Sequence, residues 1–199
     1  AFDSKSFDLV ISFDAPISYT YPHQEQVIQE LVRLAGKRII ISVSSRMGYL
    51  PYLANPLQKN HFILDENCGD SWVRWCVANK DNAVKSFSFD EKAAEKLLAE
   101  GLMGGEKEIA EYEQGGAPWC ITYTFMPDEL RDILSRSGVK NIELAGPGAY
   151  ARTIPNELLV KIMKDPKQRS DFLDFCYRYD TNEFVCGMGK DNLLAKGEL

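Results

Sequence analysis

The chain has 199 residues, 45% hydrophobic and 11% aromatic, enough apolar material to bury a core of ordinary domain size. Its 23 Lys and Arg against 29 Asp and Glu give a net charge of -6, and no basic run builds the positive stripe that a nucleic-acid backbone requires, so no nucleic-acid partner is expected. The apolar stretches are too short to span a bilayer, the start Ala1-Phe2-Asp3-Ser4 is not signal-like, and the five cysteines (Cys68, Cys76, Cys120, Cys176, Cys186) form no C-x-x-C pair, so a soluble, cytoplasmic protein with no membrane partner and buried, reduced thiols is expected.

In chain order, residues 7–13 (Phe-Asp-Leu-Val-Ile-Ser-Phe) read as a strand covered on both faces, because the apolar run does not alternate. A Pro- and Tyr-rich loop follows to Pro22. Residues 23–34 then predict a helix, with Val27, Ile28, Leu31, Val32 and Leu34 mainly on one face and Gly36 as its stop. Residues 38–44 are β-branched and predict a second strand, completing a right-handed βαβ unit.

The rhythm breaks over residues 57–118, which read as a mostly helical insertion. A Ser88-x-x-Glu91 capping box precedes a helix through Leu98, and the pairs Gly104-Gly105 and Gly115-Gly116 suit either a movable cover or plain loop punctuation. Residues 119–125 then read as extended. Pro127-Asp128-Glu129 opens a helix that Gly138 closes, residues 139–145 form a strand, helices start at Pro155 and after Pro166, and residues 191–196 supply a last strand.

Three segments carry a family resemblance. Residues 6–16 (Ser-Phe-Asp-Leu-Val-Ile-Ser-Phe-Asp-Ala-Pro) look like the fourth strand and following acidic turn of class I S-adenosylmethionine-dependent methyltransferases. Glu30-Leu31-Val32-Arg33-Leu34 with residues 38–44 resembles the helix and fifth strand, and residues 123–139 resemble the helix ahead of the sixth strand. The resemblance implies an α/β fold, the C-terminal half of a Rossmann-like methyltransferase sheet, mostly parallel with an antiparallel last strand. It divides the chain into core at 1–56, insertion or lid at 57–118, and core again at 119–199. The glycine-rich loop by which the family holds its cofactor has no counterpart in the sequence. A missing N-terminal half or a separately encoded subunit, about 100 residues in three βα units, is therefore expected to supply it and to pair with the strand at residues 8–13.

By the same resemblance the cofactor is S-adenosylmethionine, contacted by Phe13, Asp14, Ala15, Pro16 and Tyr19. Strand-end position suits Asp14 for ligand binding, and aromatic faces suit a sulfonium. The competing readings are a turn-capping Asp and ordinary packing. Asp14 and His23 are the catalytic candidates. His23 can take a proton at the acceptor or simply hydrogen-bond at a helix start, and His61 has no evident partner. Acceptor contacts are assigned to Tyr21, Arg46, Trp119, Tyr123, Tyr150 and Arg152, with Trp72 and Trp75 as further lining. Arg46 suits either a substrate carboxylate or a surface ion pair.

No metal-ligand spacing is present. Gly146-Pro147-Gly148-Ala149-Tyr150-Ala151 fits a dinucleotide fingerprint formally, but Pro147 and a late helix start favour a plain turn. Methyl transfer to a small or medium acceptor is the expected function. A non-catalytic partner subunit or degenerate binding module is the alternative, and a nicotinamide-dependent enzyme is a third.

Overall fold

A computed structural model describes residues 2–54, 91–103, 121–189 and 192–199. The insertion expected at 57–118 lies mostly outside this range, as do Ser88, His61, Trp72, Trp75, Trp119 and three of the cysteines. Among the described residues the fold is α/β, with a four-stranded mixed sheet ordered β1-β2-β6-β5.

Strand β1 (Phe7–Ser12) leads into helix α1 (Gln24–Leu34), which passes directly into β2 (Ala35–Ser44). Gly36, expected to stop the helix, instead lies inside β2. The chain leaves α1 through Ala35 in an extended conformation, and register slips by one residue between the Phe7–Ala35 and Leu9–Arg38 pairs. A β-bulge accounts for the glycine, since a Cβ on Gly36 would lie 3.3 Å from the Phe7 carbonyl.

Helix α2 (Arg46–Ala54) follows β2, and α3 (Glu91–Glu100) leads into the two-residue strand β3 (Leu102–Met103), which pairs with β4 (Thr122–Tyr123). Helix α4 (Pro127–Arg136) starts at its proline, and β5 (Lys140–Ala145) follows the left-handed Gly138. Helices α5 (Asn156–Lys164) and α6 (Pro166–Asp180) pack on each other, with the Asp165 carboxylate accepting the Gln168 N–H at 2.9 Å to cap α6. Strand β6 (Asn192–Glu198) ends the fold.

A mostly parallel sheet is not what forms. Strands β1 and β2 are parallel, but β6 inserts between β2 and β5 and runs antiparallel to both, so two of the three pairings are antiparallel. The reversed strand was expected, and its central position is what changes the count. Directions still agree in one respect: β1, β2 and β5 point the same way, so their carboxyl ends lie along one rim.

The two sheet faces differ. Ile39, Ile41 and Val43 share one face with Leu193, Ala195 and Leu144, and α1 and α4 cover it with Ile28, Val32, Leu130, Ile133 and Leu134. An Arg136–Glu25 ion pair at 3.2 Å ties the two helices together. The opposite face carries Leu9 and Ile11 beside Arg38 and Ile40, then Lys196 and Glu143, and Ile11 remains 52% exposed. The expectation that β1 is buried on both faces is therefore not met: Phe7, Leu9 and Ile11 stand exposed, and among the described residues α1 is the helix that packs against the strand. Cys176 and Cys186 are free and buried, and burial pushes both thiols up. No helix among the described residues is long and apolar enough to cross a membrane.

Candidate functional site at the carboxyl ends of the parallel strands

Immediately after β1 the backbone turns through two consecutive left-handed residues, Asp14 at φ 70 and Ala15 at φ 52. Asp accepts this conformation readily, whereas Ala costs about 1–2 kcal/mol, so the surroundings must hold the turn in place. Serines do so. The Ala15 N–H donates to Ser42 Oγ at 3.0 Å, its carbonyl accepts the Ser18 N–H at 3.0 Å, and the Ser44 N–H donates to Ser18 Oγ at 2.8 Å. A short 3-10 turn (Pro16–Tyr19) completes a loop fixed to the end of β2. The residues assigned to the cofactor thus sit on one pinned loop: Phe13, Asp14 and Pro16 are exposed, Tyr19 is half-buried, and Ala15 is buried. Ser44 Oγ, buried at the same rim, has no hydrogen-bond partner among the described residues.

His23 precedes α1, and its Nδ1 lies 2.8 Å from Gln26 Oε1 one turn on. This is the helix-start contact. No hydrogen bond among the described residues joins the ring to Asp14, Tyr21 or Tyr123.

Past β2, the segment ending at Phe125 runs beside the strand. The Phe125 N–H donates to the Ser44 carbonyl at 2.8 Å and the Arg46 N–H to the Phe125 carbonyl at 3.0 Å. Tyr123, Thr124 and Arg46 are thereby brought together. The Arg46 guanidinium, only 11% exposed, meets Glu129 Oε2 at 3.0 Å and donates to the Thr124 carbonyl at 2.9 Å. It also lies 5.8 Å from the centre of the Tyr123 ring, whose hydroxyl donates to Glu129. Burial, followed by the hydrogen bond and charge of Glu129, pushes the Tyr123 phenol up to about 12, with Arg46 opposing. Tyr21 stacks on Tyr123 with ring centres 6.1 Å apart and planes within 6°, and Phe125 meets Tyr123 edge-on at 4.9 Å. In this arrangement Glu129 holds Nη2 of Arg46 in the way that a substrate carboxylate would.

The remaining two assigned residues lie elsewhere. Tyr150 sits among Phe172, Phe175 and Tyr179 of α6, at 5.9, 4.7 and 5.1 Å. Arg152 reaches the carbonyls of Met188 and Gly189, each at 3.4 Å, and Ser45 Oγ donates to the Gly187 carbonyl in the same segment.

The turn at Gly146 has its donors committed. The Gly148 and Tyr150 N–H groups point at the two carboxylate oxygens of Asp180, at 2.9 and 3.4 Å, and the Gly146 N–H donates to the Asp180 carbonyl at 2.8 Å. A side chain at Gly146 would run into the Cys186 carbonyl, so close packing explains this glycine without a phosphate. The plain-turn reading accounts for the geometry.

Sequence reading missed Glu129, Thr124 and Asp180 as organisers. Glu129 was legible only as an acid in a first helical turn. It does accept the Met126 N–H at 3.3 Å, but its second partner set comes from residues distant in sequence. No protein-family model matches the chain, and a search of the curated proteins returned no relative.

Proposed function

We propose that this chain forms the acceptor side of an S-adenosylmethionine-dependent methyltransferase site, acting on a small or medium acceptor, and that a segment bearing the glycine-rich loop completes the sheet along β1. One observation carries the reading. Strands β1 and β2, which resemble the family's fourth and fifth, and β5, which follows the helix that resembles the one ahead of its sixth, run in one direction within a single sheet with a reversed last strand, and the residues assigned to the cofactor, together with Arg46, follow the carboxyl ends of β1 and β2.

The residues present suit the cofactor's charge. Asp14 is an exposed carboxylate on a pinned turn, and Phe13 offers an exposed aromatic face, both favourable to a sulfonium or amino group. When bound, the cofactor supplies an activated methyl group on a cationic sulfur. The chain's part is to hold the acceptor in line and to exclude water, and oriented approach alone can account for much of such a rate. Tyr21 and Tyr123 form the acceptor wall in this reading. Burial, with the hydrogen bond and charge of Glu129, holds the Tyr123 phenol well above neutral pH, so it keeps its proton there and takes none from the acceptor.

Calorimetry with S-adenosylmethionine tests the proposal, on the chain alone and together with the polypeptide encoded immediately before it. The expected result is binding by the combination, weakened about tenfold by Asp14→Asn through loss of one charge interaction. Binding by neither preparation removes the methyltransferase reading and leaves the non-catalytic partner.

A further inference from the structure

Gly101 ends α3 with φ +73, at the point where the chain leaves that helix for β3. Its carbonyl accepts two hydrogen bonds from Thr124, from the N–H and from Oγ1, each at 2.7 Å. Beyond the backbone strain, a Cβ here would collide with Nη2 of Arg46 and lie 2.8 Å from Arg46 Cζ and from the Thr124 carbonyl. That same Nη2 pairs with Glu129 and donates to Thr124, and Glu129 in turn holds the Tyr123 hydroxyl. The contacts form an unbroken series: Gly101, Arg46, Glu129, Tyr123. The pairing of Leu102 with Tyr123 binds the two ends of the series a second time.

We infer that Gly101 and Glu129 are positioning residues, and that the α3–β3 junction sets the place of the Tyr123 ring through the Arg46 guanidinium. Movement of α3 relative to β2 is then transmitted to the aromatic wall without touching it. The inference stands on these contacts alone and holds whether or not the chain transfers methyl groups. An ion pair this shaded from water holds its geometry better than an exposed one, and removing one member leaves the other to find a new partner. A pair of sites joined through shared partners shows non-additive responses to substitution.

The experiment compares four 199-residue chains: the parent sequence, Gly101→Ala, Arg46→Ala and the double variant. Melting temperature is followed in each, together with the Tyr123 ring-carbon resonance in protein carrying labelled tyrosine, assigned with Tyr123→Phe. The coupling requires Gly101→Ala to shift the Tyr123 resonance in the same direction as Arg46→Ala. The double variant should shift it no further than Arg46→Ala, with a melting loss smaller than the sum of the single losses. An unmoved Tyr123 resonance in Gly101→Ala, or strictly additive losses, would overturn the inference. Should Gly101→Ala alone not fold, folding of the double variant supports the series. Failure of both places the glycine requirement in the left-handed backbone and refutes it.

Discussion

The two edges of the sheet are built on different rules. At the β5 edge the strand is interrupted by a bulge at the left-handed Asn141, Arg131 of α4 donates to the Ile142 carbonyl at 2.9 Å, and Lys140 and Glu143 stand exposed with Glu143 paired to Lys196 at 3.0 Å. Bulges, charges and capped carbonyls are how sheets prevent further strands from adding. Past its first residues, the β1 edge shows none of these devices among the described residues. Its outer face shows Leu9, Ile11 and Phe13 at 44%, 52% and 55% exposure, and among the described residues its one ion pair, Asp8 with Lys37, lies toward β2. One edge is finished and, among the described residues, the other is bare, which is what the proposed joint along β1 requires.

The strongest test of that contrast is a pair of truncations on opposite faces. Ile41→Ala, in the covered face with no exposure, is expected to cost about 2–5 kcal/mol in chemical denaturation. Ile11→Ala is expected to cost less than about 1 kcal/mol in the chain alone. Equal costs would mean that the open face is as well packed as the closed one.

Alkaline titration gives the next effect. Tyr123 in the folded chain ionises near pH 12, above the ordinary tyrosine value of about 10. Its contribution is therefore complete below about pH 10 and is lost as pH rises through 12, because the unfolded chain releases the proton first. Tyr123→Phe should flatten the decline in stability between these values, as followed by denaturation at fixed pH steps. An unchanged slope would mean that the Tyr123 phenol is not raised in the folded chain.

Self-association measures the joint more gently. Ile11→Lys should reduce concentration-dependent association in sedimentation while changing stability by no more than about 0.5 kcal/mol, because a charge on an open edge opposes strand addition without touching the core. Arg131→Ala, which uncaps the Ile142 carbonyl, should increase association through β5. The smallest expected effect is at Ser44. Its buried hydroxyl has no partner among the described residues, so Ser44→Ala should be neutral or slightly stabilising in the chain alone. A loss above about 1 kcal/mol would reveal a hydrogen bond at the rim.

Legibility in the sequence followed the range of the forces involved. Strand β1, helix α1, most of β2, and helices α4 to α6 could be read from residue periodicity, prolines and caps, because a few neighbours decide them. The bulge at Gly36 could not, since it answers to the close approach of Lys5 and Phe7 from another strand. The position of β6 between β2 and β5 was also hidden, because pairing order depends on contacts about 150 residues apart. At the rim, Asp14, Tyr21, Arg46 and Tyr123 were found as residue types suited to ligands. What joins two of them, Arg46 and Tyr123, is Glu129, whose local signal as a first-turn acid gives no hint of Arg46 83 residues away.

Amide hydrogen exchange on the two edges tests the central claim most directly, measured for the chain alone and mixed with the polypeptide encoded immediately before it. The expected result is slowed exchange at β1 on mixing, with β5 unchanged, as a parallel strand takes up the free edge. Unaltered β1 exchange in the mixture, or protection gained at β5 instead, would contradict the account of β1 as a joint and with it the reading of this chain as one half of a sheet.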